Sequence, residues 1–208
     1  RVWTSPRGQG ILLSVLLRPQ LAPSEISRLT LMTALAVIRA IEGVTAARPS
    51  VKWPNDVVYE GKKLCGILTE MSGETDRVRY VILGIGLNVN GLKKDLPPGS
   101  ISLRQILGKK IPRVKLAQRL LEEIEGHYLR LGKNRFEGVS EEWETLSETT
   151  GQRVSVKTPG RTIHGMAAGI DTDGALWVRH DNGLRERVLS GDVERLRPEP
   201  VTIMRKKK

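Results

Sequence analysis

Five consecutive residues, Lys52-Trp53-Pro54-Asn55-Asp56, put a cation, a large aromatic, a rigid turn residue, an amide and a carboxylate side by side. The proline fixes its own φ and biases Trp53 toward an extended conformation, which would hold Lys52 and Asn55 in set directions. On chemistry alone the group reads either as part of a binding site or as a decorated turn with a Lys–Asp surface pair. Seven residues after Asp56 stands Lys63, at the mouth of the apolar run Leu64-Cys65-Gly66-Ile67-Leu68. A lysine leading into a buried strand can aim its ammonium at a phosphate or carboxylate, or snorkel to the surface. Gly66 removes a side chain where a ligand or another backbone approaches, or marks a bulge. A third group, Gly84-Ile85-Gly86-Leu87-Asn88-Val89-Asn90, places glycines at alternate strand positions and so bares one face, on which something flat could lie. Asn88 shares that face, and its amide can donate and accept at once, which matches the edge of adenine.

Other chemistries find no support. The Gly-Ile-Gly run is not a dinucleotide fingerprint, because no G-x-G-x-x-G opens a helix. No P-loop, zinc motif or G-x-S-x-G is present. His127, His164 and His180 accompany no convincing nucleophile. The single cysteine, Cys65, rules out an internal disulfide framework and is compatible with a reducing compartment.

The elements that must position these residues follow from hydrophobic period and breakers. Residues 11–18 read as a buried strand. A well-buried helix opens at Pro23-Ser24 and runs to about Ile41, stopped by Gly43. Strands follow at 51–54, 56–59, 64–71 and 78–89. The first hairpin turns at Glu60-Gly61-Lys62, with Gly61 supplying positive φ. Residues 91–111 read as a loop. Pro112 opens a helix whose apolar face carries Ala117, Leu120, Ile124 and Leu131, and a shorter helix spans roughly 135–147. From Gly151 onward short strands alternate with turn signals at Pro159-Gly160, Asp173-Gly174 and Asp181-Asn182-Gly183, which suggests a small barrel. The boundary between the two textures falls near 148–151.

The net charge of +11 invites a nucleic-acid reading, but the excess is scattered, and four of those charges sit in the tail Arg205-Lys206-Lys207-Lys208. A site for anionic phosphates or docking to an acidic partner fits as well as DNA. No apolar run reaches the length of a membrane-spanning helix, and no signal peptide is visible.

Taken together, Arg1-x-Trp3 followed by Ser5-Pro6, KWPND at 52–56, GKKLCGIL at 61–68 and GIGLNVN at 84–90 resemble the biotin–protein ligase family, in order and in spacing. The resemblance covers essentially the whole chain. It implies an α+β fold: a class II synthetase-like catalytic domain over residues 1–148, with helices on a mixed, largely antiparallel sheet. A small SH3-like β-barrel over 149–200 and a basic tail over 201–208 follow. It implies ATP-dependent formation of biotinyl-5′-AMP, then transfer of biotin to a lysine of a biotin carboxyl carrier protein, with ATP, biotin and Mg²⁺ as the small molecules.

On this resemblance Lys63 is the central catalytic cation, touching the biotin carboxyl and the α-phosphate, while Gly66 and Leu68 form part of the biotin wall. Asn88 beside Gly86 reads the adenine edge, Trp3 stacks on the adenine ring, and Arg1 contacts phosphate or ribose. Asn55, with Lys52 and Asp56, faces the nucleotide phosphates and their magnesium. Family members carry a Ser/Thr-rich biotin-contact segment and a Gly-Arg-rich loop upstream of R-x-W, so the 208-residue chain is expected to lack them and to form little biotinyl-AMP alone. The alternatives are lipoate or another acyl-adenylate ligation, or a biotin-responsive repressor whose DNA-binding part lies upstream. A homodimer and a cytoplasmic location are further expectations of the resemblance.

Overall fold

The computed structural model describes residues 3–74, 77–131 and 136–196. Arg1 and the basic tail lie outside them. Five strands form the first sheet: β1 (Gly10–Leu17), β2 (Ser50–Lys52), β3 (Asp56–Tyr59), β4 (Lys62–Gly73) and β5 (Val78–Asn88). Their spatial order is β1-β5-β4-β3-β2, and every pair is antiparallel. β3 and β4 are joined through Glu60 and Gly61, both at positive φ (50° and 72°), the geometry whose twist suits a two-residue hairpin.

One face of this sheet is covered by α1 (Ser27–Val44), which packs on β2, β3 and β4. Eleven of its eighteen residues are buried, because α3 (Arg113–Leu131) and α4 (Phe136–Thr145) cover its other side. A helix enclosed in this way needs an apolar stripe wider than one face, and Leu35, Ile38 and Ile41 supply it. The opposite face of the sheet is open: Leu12 and Leu68 remain 62% and 56% exposed there.

α1 differs from the sequence reading at both ends. Pro23–Glu25 form a 3-10 turn before the helix, and Gly43 lies inside its last turn. Residues 91–111 are not a plain loop. They contain α2 (Leu103–Leu107), capped by Ser102, whose hydroxyl accepts from the Gln105 amide while the Gln105 side chain accepts from the Ser102 amide. The S-x-x-Q spacing at 102–105 is the signal for this reciprocal cap.

The second sheet holds β6 (Arg153–Thr158), β7 (Arg161–Ile170), β8 (Leu176–Arg179), β9 (Arg185–Val188) and β10 (Asp192–Arg195), in the order β10-β6-β7-β8-β9. The expected SH3-like barrel is therefore corrected: this sheet does not close. Its edge strands β9 and β10 are four residues each, and no ladder joins them, although only residues 189–191 separate them in sequence. Both edges alternate charged residues, Arg185-Glu186-Arg187 and Asp192, Glu194 and Arg195, a pattern that solvates an edge instead of pairing it. The mixed character expected of the first sheet is corrected too, since all its ladders are antiparallel.

The two sheets are joined by more than a linker. The Val51 N–H donates to the Leu146 carbonyl (2.9 Å) and the Glu148 N–H to the Val51 carbonyl (2.9 Å). Residues 146–148 thus lie parallel along the outer edge of β2.

Candidate active site on the open face of the first sheet

Antiparallel partners point to the same side of a sheet, so the register defines rows on the open face. One row runs Leu12, Gly86, Gly66, Asp56 across four strands; the next runs Ser14, Gly84, Leu68. Asn88 faces Gly10 one row earlier. The glycine strip, Leu68, Asn88 and Asp56 are therefore brought together on one side.

Lys63 would not join them by strict alternation, since it stands three residues from Gly66. A bulge corrects this. Val57 pairs with Cys65 and Val58 with Lys63, which leaves Leu64 as an extra residue on β4. Leu64 and Cys65 are both fully buried, and Lys63 is turned to the open side, as bulges beside functional sites commonly do. Its Nζ stands 2.6 Å from Asp56 Oδ1 and 3.1 Å from where a β-carbon on Gly66 would be. The Asp56–Lys63 contact is an ion pair off the line a hydrogen bond needs: Asp56 Oδ1 is buried without an aligned donor. The charge on that oxygen is met by the Lys63 ammonium.

The flat object on the bare strip is the protein's own indole. Any β-carbon on Gly86 would come within 2.5 Å of Trp3 Cε2, and one on Gly66 within 2.8 Å of Trp3 Cζ3. The Lys63 ammonium lies 5.8 Å from the Trp3 ring centroid, in cation–π range. Trp3 is half-buried, and its Nε1 is buried with no partner.

The amides divide their work. Asn88, 3% exposed, reaches the Lys63 carbonyl at the outer limit of a hydrogen bond (3.5 Å). Asn55 donates from Nδ2 to the Ile67 carbonyl (2.7 Å) and accepts the Ile67 N–H at its own carbonyl (3.0 Å), so it clamps the turn to β4. Lys52 ends β2, half-exposed. Cys65 is inert packing, and burial pushes its thiol pKa up.

Residues 1–88 match the Biotin/lipoate A/B protein ligase family and residues 149–196 match the Biotin protein ligase C terminal domain. The biotin–[acetyl-CoA-carboxylase] ligase of Mycobacterium tuberculosis is 36% identical over 204 residues, covering 95% of this chain and 73% of that protein. The chain belongs to the biotin protein ligase family. A second relative, the bifunctional ligase/repressor BirA of Bacillus spizizenii, is 38% identical over 198 residues. The match covers 93% of this chain and 61% of the relative, so the chain spans under two thirds of that protein's length. Among solved structures, the biotin protein ligase of Aquifex aeolicus in complex with biotin and ATP superposes with a TM-score of 0.79 at 26% identity, covering 90% of this chain and 79% of that one.

Three residues of this biotin protein ligase fold have roles that the sequence did not assign. Asn90 uses both amide atoms on Ile111, donating to its carbonyl (2.9 Å) and accepting from its N–H (2.8 Å). Thr149 and Gly174 hold Trp53: the Trp53 N–H donates to Thr149 Oγ1 (3.1 Å) and its Nε1 to the Gly174 carbonyl (3.0 Å). The second asparagine of N-x-N could have drawn notice to Asn90. Nothing local links Trp53 to residues so far along the chain.

Proposed function

We propose that the chain carries the catalytic face of an ATP-dependent biotin–protein ligase. The observation that supports this reading is the meeting of Lys63 Nζ, Asp56, the Gly66/Gly86 strip and Trp3 on one open sheet face. The biotin carboxylate attacks the α-phosphate of ATP, its oxygen forms the new P–O bond, and pyrophosphate leaves. A lysine amine of a biotin carboxyl carrier protein then attacks the acyl carbon, forming the amide and releasing AMP and a proton. Both steps gather negative charge on oxygens, so the enzyme's part is to align reactants and neutralise charge.

Lys63 supplies the cation where carboxylate and α-phosphate meet. Leu68, exposed beside Gly84, offers apolar wall to the biotin rings. The outer face of Trp3 is a platform for adenine stacking, with the Asn88 amide next to the strip. Among the described residues no three His, Cys, Asp or Glu side chains stand together to hold a metal. Magnesium commonly keeps its waters and binds through phosphates plus one or two protein groups. Asp56, a carboxylate at the edge of the strip beside Lys63, would be one such ligand; when bound, the ion would neutralise phosphate charge.

We further assign residues 1–148 to the catalytic unit and 149–200 to a second unit, with 201–208 as a tail. A homodimer remains part of the reading. DNA binding would need a domain besides those described. No helix among the described residues is long and apolar enough to cross a membrane, and we place the activity in the cytoplasm, where a carrier protein would be met.

The test is exchange of labelled pyrophosphate into ATP, run with biotin and with lipoate on the chain extended by the upstream biotin-contact segment that the family carries. Exchange with biotin that falls at least about a hundredfold in Lys63→Gln, the scale of one lost charge-stabilising donor, supports the reading. Exchange with lipoate and none with biotin, or an undiminished Lys63→Gln enzyme, overturns it.

A further inference from the structure

The turn that carries Asp56 is not held by the catalytic sheet alone. Trp53, 1% exposed, spends its backbone N–H on Thr149 Oγ1 and its indole N–H on the Gly174 carbonyl. Both partners belong to the chain's second unit: Thr149 enters it, and Gly174 (φ 84°) sits in the turn between β7 and β8. That turn is itself seated on α1. Ser27 donates its hydroxyl to the Asp173 carbonyl. Arg28 reaches the Thr172 carbonyl (2.8 Å) and the Asp173 carboxylate (3.1 Å), and a β-carbon on Gly174 would come within 2.6 Å of Leu31 Cδ1. Residues 171–175 thus form a peg gripped by α1 on one side and by Trp53 on the other.

From Trp53 the grip passes along four residues. Asn55 clamps the turn to Ile67 of β4, and Asp56 holds the Lys63 ammonium. The far side of the turn has room to yield: Pro54 and Asn55 border a cleft of about 490 Å³ whose other walls are Lys157, Thr158, Pro159 and Asp192. The turn is thus fixed from two sides, by β4 through Asn55 and by the second unit through the two Trp53 bonds. We infer that the second sheet is a positioning part of the active site, acting through Trp53 as a positioning residue that sets Asp56 and thereby the Lys63 amine. The inference rests on the ligase reading only for the work given to Lys63; the mechanical coupling stands apart from it.

The test measures that coupling without turnover. The whole chain is acetylated at neutral pH with limiting N-hydroxysuccinimidyl acetate, and the ratio of modification at Lys63 to that at exposed Lys62 is read by mass spectrometry. Lys62 serves as the internal standard for reagent and folding. Asp56→Asn releases the amine directly and is expected to raise the ratio about threefold, the scale of a lost half-exposed ion pair. Trp53→Phe keeps the ring and removes the indole donor; Thr149→Val removes the hydroxyl acceptor. Each is expected to move the ratio the same way by about twofold or more, while Thr149→Ser, which retains the hydroxyl, leaves it in place. Should Trp53→Phe fail to fold, Thr149→Val against Thr149→Ser decides the matter. A ratio unmoved by both Trp53→Phe and Thr149→Val, or by Asp56→Asn, overturns the inference. Biotin-dependent pyrophosphate exchange, run on the same substitutions in a chain extended by the upstream biotin-contact segment, reports separately on the ligase reading: its absence there would count against that reading and leave the labelling result intact.

Discussion

A β-carbon on Gly86 would stand 2.5 Å from the Trp3 indole, so the absence of a side chain there admits the ring. In Gly86→Ala the ring must lift, and the platform proposed for adenine is lost. Binding of a non-hydrolysable ATP analogue, measured by titration calorimetry, is expected to weaken about tenfold, within the range that overpacking costs. In Gly84→Ala the new carbon would meet nothing nearer than 3.6 Å, and Trp3 emission should stay unchanged. A second residue-scale expectation concerns His127, which is 1% exposed and has an Nε2 without a partner. Burial is the main reason its pKa lies below the ordinary 6.5, and the Arg130 charge adds to the effect. As pH falls through 6.5 the unfolded chain takes up this proton before the folded one does, so stability is full at neutral pH and drains away below 6.5. Thermal melts at pH 7.5 and 5.5 check this: His127→Leu should narrow the difference in melting temperature.

At the scale of elements, strand period and helix period were readable wherever one face is buried and the other wet, as in β1 and α3. The sequence reading put the glycine strip and Asn88 on one face from alternation alone. Alternation failed at Lys63, because a bulge depends on which residue of the partner strand it faces, and the Lys63-x-x-Gly66 spacing carries no mark of the extra residue. It also failed for the second sheet. Strand lengths and turns resemble those of a barrel, but closure is decided by backbone pairing between β9 and β10, which composition does not encode. Residues 91–111 read as a loop because much of their order comes from partners outside the segment: Lys63 pairs with Gly99 and Ile101, and the Asn90 side chain holds Ile111. Removing that side chain in Asn90→Ala leaves the buried N–H and carbonyl of Ile111 unmatched. Urea unfolding should then show a loss of about 2–6 kcal/mol, the sum for two orphaned groups.

Over the whole molecule, the catalytic sheet is finished by chain that arrives late. Residues 146–148 lie along β2, and ninety-six residues separate Trp53 from Thr149. A chain ended at residue 145 should therefore behave differently from one ended at 149. The first bares the N–H and carbonyl of Val51 at the sheet edge and is expected to elute in larger species on size exclusion, while the second retains the covering segment. The same arrangement reaches back to biosynthesis. At ordinary elongation speeds the ribosome needs roughly 5–20 s to supply those ninety-six residues. Through that interval the nascent sheet has an unhemmed border, and any neighbouring polysome offering an extended segment competes with the chain's own late arrival to close it.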